Sequence, residues 1–116
     1  MTKFLVVDDE PIIAMTICDW LTDLGHTVVG LASDLDEALS LSEGSLDAAI
    51  LDVSLGERTT EAVAERLAER GLPFAVASGH DVASMPAAFG RGLPLPKPFG
   101  FESFRQFVER LVGKGA

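Results

Sequence analysis

Lys3-Phe-Leu-Val-Val-Asp-Asp-Glu-Pro11 is an apolar run of strand length that stops at three consecutive acids and a proline. Its four apolar residues, Phe4 to Val7, show no polar alternation, which suits a strand buried on both faces of a helix-covered parallel sheet. Three later runs have the same form. Asp52 follows Ala48-Ala-Ile-Leu51, Ser78 follows Phe74-Ala-Val-Ala77, and Lys97 stands just past the short run Leu93-Pro-Leu95. In an open parallel sheet the carboxyl ends of the strands form the crevice where ligands bind. If these runs are parallel strands, Asp8, Asp9, Asp52, Ser78 and Lys97 meet along one edge.

Working outward, strand candidates at Lys3–Val7, Thr27–Leu31, Ala48–Leu51, Phe74–Ala77 and Leu93–Leu95 alternate with helix-period stretches near 10–24, 35–43, 58–70, 82–89 and 100–112. Ile13, Ile17, Leu21 and Leu24 are spaced to line one face of the first helix, and Phe101, Phe104, Val108 and Leu111 do so in the last. Pro11 suits an early helix position and Gly25 a C-terminal stop. The stretch at 82–89 is interrupted by Pro86 and followed by Gly90 and Gly92, so a short helix is expected there. The pattern predicts an α/β (βα)₅ fold, a doubly wound, flavodoxin-like parallel sheet in the order 2-1-3-4-5. Its switch point falls between strands 1 and 3, which end at Asp8-Asp9 and Asp52.

At 116 residues the chain is one domain by length, and 47% apolar with 23% charged residues is ordinary for a folded protein. No apolar stretch approaches the roughly 18 residues of a membrane span, and Asp8-Asp9-Glu10 interrupts any signal-peptide reading. The single cysteine, Cys18, excludes an internal disulfide, fits a reducing cytoplasm, and reads as a small core residue. The net charge of −9 is uneven: residues 1–52 hold eleven Asp or Glu against Lys3 alone, while residues 53–116 hold eight Lys or Arg against seven acids. Such an acidic chain repels DNA phosphates, so direct nucleic-acid binding is not expected.

Two or three carboxylates in one crevice repel one another and call for a counter-charge. An oxygen-only set without His or Cys suits a hard cation: Mg²⁺ fits best, because it keeps several waters and needs only one or two carboxylates plus a phosphate oxygen. Lys97 adds a compact positive charge that can pair with Asp52 and then with a phosphoryl oxygen, and Ser78 can donate to another. Asp52 would be the nucleophile, forming an acyl phosphate. Taken singly, each residue also has a plain structural role. Asp8 or Asp9 would cap the first helix, Asp52 and Ser78-Gly79 would be turn residues, and Lys97 a solvated loop charge. His26 reads as a turn residue and His80, two residues past Ser78, as a surface residue bordering the site. No glycine-rich phosphate loop, paired metal-binding histidines or serine-hydrolase elbow is present.

Val6-Val-Asp-Asp-Glu-Pro11, Leu51-Asp52, Ala77-Ser78-Gly79 and Leu95-Pro-Lys-Pro-Phe99 together resemble the signature blocks of a two-component response-regulator receiver domain, the CheY-like fold, over nearly the whole chain. The resemblance implies Asp52 as phospho-acceptor, Asp9 as the main metal carboxylate with Asp8 acting largely through water, and the main-chain carbonyl of Ser54 as a further ligand for Mg²⁺ or Mn²⁺. It implies Ser78 as the switch hydroxyl, Lys97 as the phosphate-binding lysine, and a cis Lys97-Pro98 bond.

Two departures stand out. Pro94 occupies the place where receivers usually carry a Tyr or Phe that swings inward, and the loop Asp52-Val-Ser-Leu-Gly56 lacks the usual proline. With Pro73-Phe-Ala-Val-Ala-Ser-Gly79 and Pro94-Leu-Pro-Lys-Pro-Phe99, these features resemble the FAT GUY receivers of alphaproteobacteria. Those tend to stand alone and to work with HWE-type or related histidine kinases. The expectation is a single receiver domain over 1–116, without an output domain. It would take a phosphoryl group from a histidine kinase or phosphotransfer protein and pass the signal to a downstream protein by contact. Pro11, Ile12 and Met15 are the candidate docking residues. Phosphorylation is expected to order the segment from Gly79 to Gly92 around Ser78. Two competing classes are weaker. An aspartate-nucleophile phosphatase usually carries a second Asp where Asp52-Val-Ser54 has Ser54. A flavodoxin-like cofactor binder needs a phosphate loop after strand 1, where acids stand instead.

Overall fold

The computed structural model describes residues 2–79 and 87–115. Strands β1 (Lys3–Val7), β2 (Thr27–Ala32), β3 (Ala48–Asp52), β6 (Phe74–Ser78) and β7 (Leu93–Pro96) form a five-stranded sheet in the order β2-β1-β3-β6-β7. All four pairings within it are parallel. With β6 and β7 as fourth and fifth strands, this is the expected 2-1-3-4-5 order. Helices α1 (Pro11–Asp23), α2 (Leu35–Leu41), α3 (Glu61–Glu69) and α4 (Phe101–Gly115) cover its faces.

Successive strand residues face opposite sides of the sheet. Phe4 and Val6 of β1 therefore pack with Ile17, Leu21, Phe104 and Val108 beneath α1 and α4. Leu5 and Val7 pack with Leu35, Val63, Leu67 and Phe89 on the other side. Each fully buried Leu, Val or Phe contributes about 1.5–3 kcal/mol relative to exposure. On α1 the fully buried stripe is Ala14, Ile17 and Leu21, with Ile13 and Leu24 half-buried against the same core. Pro94 and Pro96 sit on β7, an edge strand, where a missing ladder donor is tolerated. Gly92 precedes β7 because a Cβ there would meet the Phe74 ring at 2.6 Å.

Two expectations change. The helix predicted from residue 58 begins at Glu61, because a small antiparallel hairpin, β4 (Ser54–Leu55) with β5 (Arg58–Thr59), precedes it. Strands of two residues are too short to leave a periodic trace in the sequence. Of the predicted 82–89 helix, residues 82–86 lie outside the described residues, and Ala87–Arg91 form a 3₁₀ turn. Of the segment from Gly79 to Gly92 expected to order around Ser78, residues 80–86 lie outside the described residues.

Candidate functional site

The sheet brings the strand-end residues together. Asp8 directly follows β1, and its amide donates to the Ala32 carbonyl at 3.0 Å, continuing the β1–β2 ladder by one residue. Asp52 closes β3 and Ser78 closes β6, at 8% and 6% exposure. Lys97 follows β7, and its amide donates to the Ser78 carbonyl at 2.9 Å. Its Nζ lies 3.1 Å from Asp52 Oδ1, which also accepts the Val53 amide at 2.8 Å. The Lys97-Pro98 peptide is cis. Thr60, fully buried, fastens the turn after β3, with its hydroxyl donating to the Asp52 carbonyl at 2.6 Å. The resulting cleft of ≈ 390 Å³ is lined by Asp9, Glu10, Asp52, Ser54, Ser78 and Lys97, with Val53, Gly56 and Gly79.

Carboxylate oxygens of Asp8, Glu10 and Asp52 lie within 4.8 Å of one another. Asp8 is 3% exposed, and burial pushes its carboxyl pKa up. The negative charge of Asp52 pushes the same way, against the Glu10 amide and Lys97. The Glu10 amide donates to Asp8 Oδ1 at 2.9 Å. Three acids at this separation, two of them buried, form a hard-oxygen donor set that fits a divalent cation of the Mg²⁺ type.

Asp9 lines the cleft beside Asp52. It is exposed, outside the three-carboxylate cluster, and its Oδ2 accepts the Gly56 amide at 2.7 Å from the hairpin tip. Glu10, to which the sequence reading gave no role, lies in the cluster with Asp8 and Asp52. The signal was the run of three acids, of which only the first two were given a role. Ser54 lines the cleft as the first residue of β4. Pro94 is exposed on β7 beside Val76. His80 lies outside the described residues, and His26 sits at the opposite end of the sheet, before β2.

A second, apolar groove of ≈ 440 Å³ adjoins the cleft between α1 and the Lys97–Phe99 segment, with Ile12, Thr16 and Trp20 in its wall. Ile12 is 81% and Met15 62% exposed, and Pro11 opens the helix beside them. Only Ile12 of these three lines the groove. Trp20 packs edge-on to Phe99 and Phe101, and Phe99 stacks on Phe104, tying α1 to α4. None of the helices among the described residues is long and apolar enough to cross a membrane.

Residues 4–109 match the family model of the response regulator receiver domain. The chain is 38% identical to SdrG from Sphingomonas melonis Fr1, with a TM-score of 0.81 and 97% of each chain covered. It is 25% identical to the response regulator PhyR from Brucella abortus, with a TM-score of 0.83 over 97% of this chain and 48% of that one. The transcriptional regulatory protein PdtaR of Mycobacterium tuberculosis is 29% identical over 97% of this chain and 57% of its own length. The chain thus spans little more than half of that curated relative. It belongs to the response regulator receiver domain family.

Proposed function

From its membership of the receiver family, a class of phospho-acceptor signalling modules, we infer that the chain accepts a phosphoryl group on Asp52 from a histidine kinase or phosphotransfer protein in a Mg²⁺-dependent reaction. The observation that carries this reading is Asp52 itself, buried at the cleft floor with Lys97 Nζ 3.1 Å from its Oδ1. Oδ1 is held by Lys97 and the Val53 amide, which leaves Oδ2 as the nucleophile. Its attack forms the O–P bond as the N–P bond of the donor phosphohistidine breaks, and the imidazole nitrogen keeps the electron pair and takes up a proton. Lys97 offsets charge on the phosphoryl oxygens, and the Ser78 hydroxyl donates to one of them. Asp8, Asp9 and Asp52, with the Ser54 carbonyl, would hold Mg²⁺, or Mn²⁺ in its place, and Glu10 lies in the same group of carboxylates; bound there, the ion supplies charge neutralisation. Crystals of the receiver TrrA from Thermotoga maritima contain Mg²⁺ with BeF, which supports this choice of ion.

The finer reading is a stand-alone, cytoplasmic receiver of the FAT GUY kind, served by an HWE-type or related kinase. The match to SdrG across 97% of both chains and the departures at Pro94 and Asp52–Gly56 support it. Ile12 and the groove beside it, with Pro11 and Met15 at its margin, are the docking surface for the donor helix and for a downstream protein. Intact mass after incubation with acetyl phosphate and Mg²⁺ tests the chemistry. Wild type gains one phosphoryl group and Asp52→Asn gains none; equal gain in both, or none in wild type, would falsify the assignment.

A further inference from the structure

We propose that Thr60 is a positioning residue for phosphoryl acceptance: its hydroxyl fixes the Asp52–Val53 peptide, whose N–H holds the Asp52 carboxylate in the plane from which it attacks. This rests on the reading of Asp52 as phospho-acceptor and deepens it.

Thr60 immediately precedes α3, where a threonine ordinarily turns its side-chain oxygen onto the amides of the first helical turn. Asp34 does so for α2, accepting the Glu37 amide at 2.8 Å from an extended backbone at φ −137° and ψ 165°. Thr60, at φ −92° and ψ 17°, makes no such bond. Its carbonyl still serves the helix, accepting the Ala64 amide at 3.0 Å. Its hydroxyl turns inward instead, 2.6 Å from the Asp52 carbonyl and 3.1 Å from that of Val53. The Val53 carbonyl already accepts the Thr60 amide at 2.8 Å, so the shorter bond, to Asp52, takes the hydroxyl proton. Thr60 is 0% exposed, so bulk water cannot replace that bond.

The Asp52 carbonyl and the Val53 N–H belong to one planar peptide unit, so holding the first aims the second. That N–H donates to Asp52 Oδ1 at 2.8 Å. A hydrogen bond accepted by the carbonyl also polarises the amide and strengthens its N–H as a donor. The carboxylate needs such a hold, because the last torsion of an aspartate is broad and its intermediate values turn both oxygens off the line of attack. Lys97 Nζ, 3.1 Å from the same Oδ1, is an ammonium on a flexible stem and follows the carboxylate rather than setting its plane. The stiff partner is the peptide, and Thr60 keeps it still.

The test is the rate of labelling by acetyl phosphate with Mg²⁺ in wild type, Thr60→Val and Thr60→Ser, at a temperature where melting curves show each protein folded. The reaction forms the bond from Asp52 Oδ2 to phosphorus as the phosphorus–oxygen bond to acetate breaks, and acetate leaves with the electron pair. Thr60→Val keeps the branched shape without the hydroxyl. It should be labelled about tenfold more slowly, with the Val53 amide proton moved upfield in NMR spectra recorded without phosphodonor. Thr60→Ser keeps the hydroxyl, so it should recover the rate to within about threefold and return the Val53 resonance. If Thr60→Val does not fold, Thr60→Ala replaces it, with the same losses expected. A Thr60→Ser rate as low as that of the hydroxyl-free variant overturns the proposal, because packing would then be the cause. A slower rate with the Val53 resonance unmoved overturns it too, since the peptide would not be the route. Labelling of wild type and the hydroxyl-free variant at equal rates sinks the positioning role alone. No labelling of wild type sinks the acceptor reading with it.

Discussion

Along β1, Phe4 to Val7 lie at 0–1% exposure among carbon side chains, while the next residue, Asp8, is almost as buried at 3% and carries a carboxyl group. β3 repeats the change within a single strand, from Leu51 at 0% to Asp52 at 8%. Burial is nearly constant across each boundary, so accessibility does not distinguish the two regions. What differs is the sign of its energetic effect. Removing a carbon group from the interior forfeits transfer free energy and leaves a cavity. Removing a charge from the strand ends relieves desolvation and like-charge repulsion. The strand interiors therefore stabilise a fold whose carboxyl edge, prepared for chemistry, weakens it.

The largest expected effect tests the interior. Phe104 is fully buried, stacked on Phe99 and tilted against Trp20 where α4 meets α1. Phe104→Ala should cost about 3–5 kcal/mol in equilibrium urea unfolding. A cost below about 1 kcal/mol would mean that the α1–α4 side is not packed as described.

The next tests the edge, with the opposite sign. Asp8 has a carboxyl pKa raised chiefly by burial and next by Asp52. A raised folded-state pKa means the native protein holds this proton more tightly than the unfolded chain. That contribution is present at low pH and is lost as pH rises from the ordinary carboxylate value through the raised one. Asp8→Asn should then melt about 3 °C higher than wild type at neutral pH without Mg²⁺. It should also lose most of the Tm increase that MgCl₂ gives wild type. Melting curves that instead show Asp8→Asn destabilised would collapse the distinction between interior and edge.

The contrast also accounts for what could be read from the sequence. The apolar runs that became β1, β3 and β6 were legible because burial on both faces leaves an uninterrupted signal. Asp8, Asp52, Ser78 and Lys97 were legible because each breaks such a run at its end. The β4–β5 hairpin was not, since it rests on one buried side chain, Leu55, and on the Thr60 hydroxyl, features without period. Nor could the different orientations of Asp9 and Glu10 be read. Both are exposed acids beside one cleft, and Asp9 accepts the Gly56 amide, which lies 47 residues away in the chain.

A smaller effect on stability is expected outside both regions. Ile12 is 81% exposed on α1, so Ile12→Glu should leave unfolding free energy within about 0.5 kcal/mol of wild type. It should nonetheless slow phosphotransfer from a histidine kinase while sparing labelling by acetyl phosphate. If both rates hold, the groove beside Ile12 is not the docking surface.

The smallest expected effect lies at the opposite end of the sheet, where His26 stands edge-on to Phe4 with ring centroids 5.3 Å apart. Its Nδ1 is buried and has no hydrogen-bond partner among the described residues. Burial, and next the positive N-terminus, push its imidazole pKa below the ordinary value. The unfolded chain therefore binds this proton more readily. Stability is whole above the ordinary imidazole value, about 6.5, and declines as pH falls through the depressed one. A glutamine stays neutral throughout, so His26→Gln should show a shallower loss of unfolding free energy between pH values of about 7.5 and 5.5. Urea titrations of both proteins at several pH values isolate the difference, because the carboxylates contribute equally to each. Parallel curves would mean that His26 is as solvated as a histidine in the unfolded chain. Non-parallel curves would show that desolvating a titratable group is costly at both ends of the sheet, with opposite pH dependence at buried Asp8 and half-buried His26.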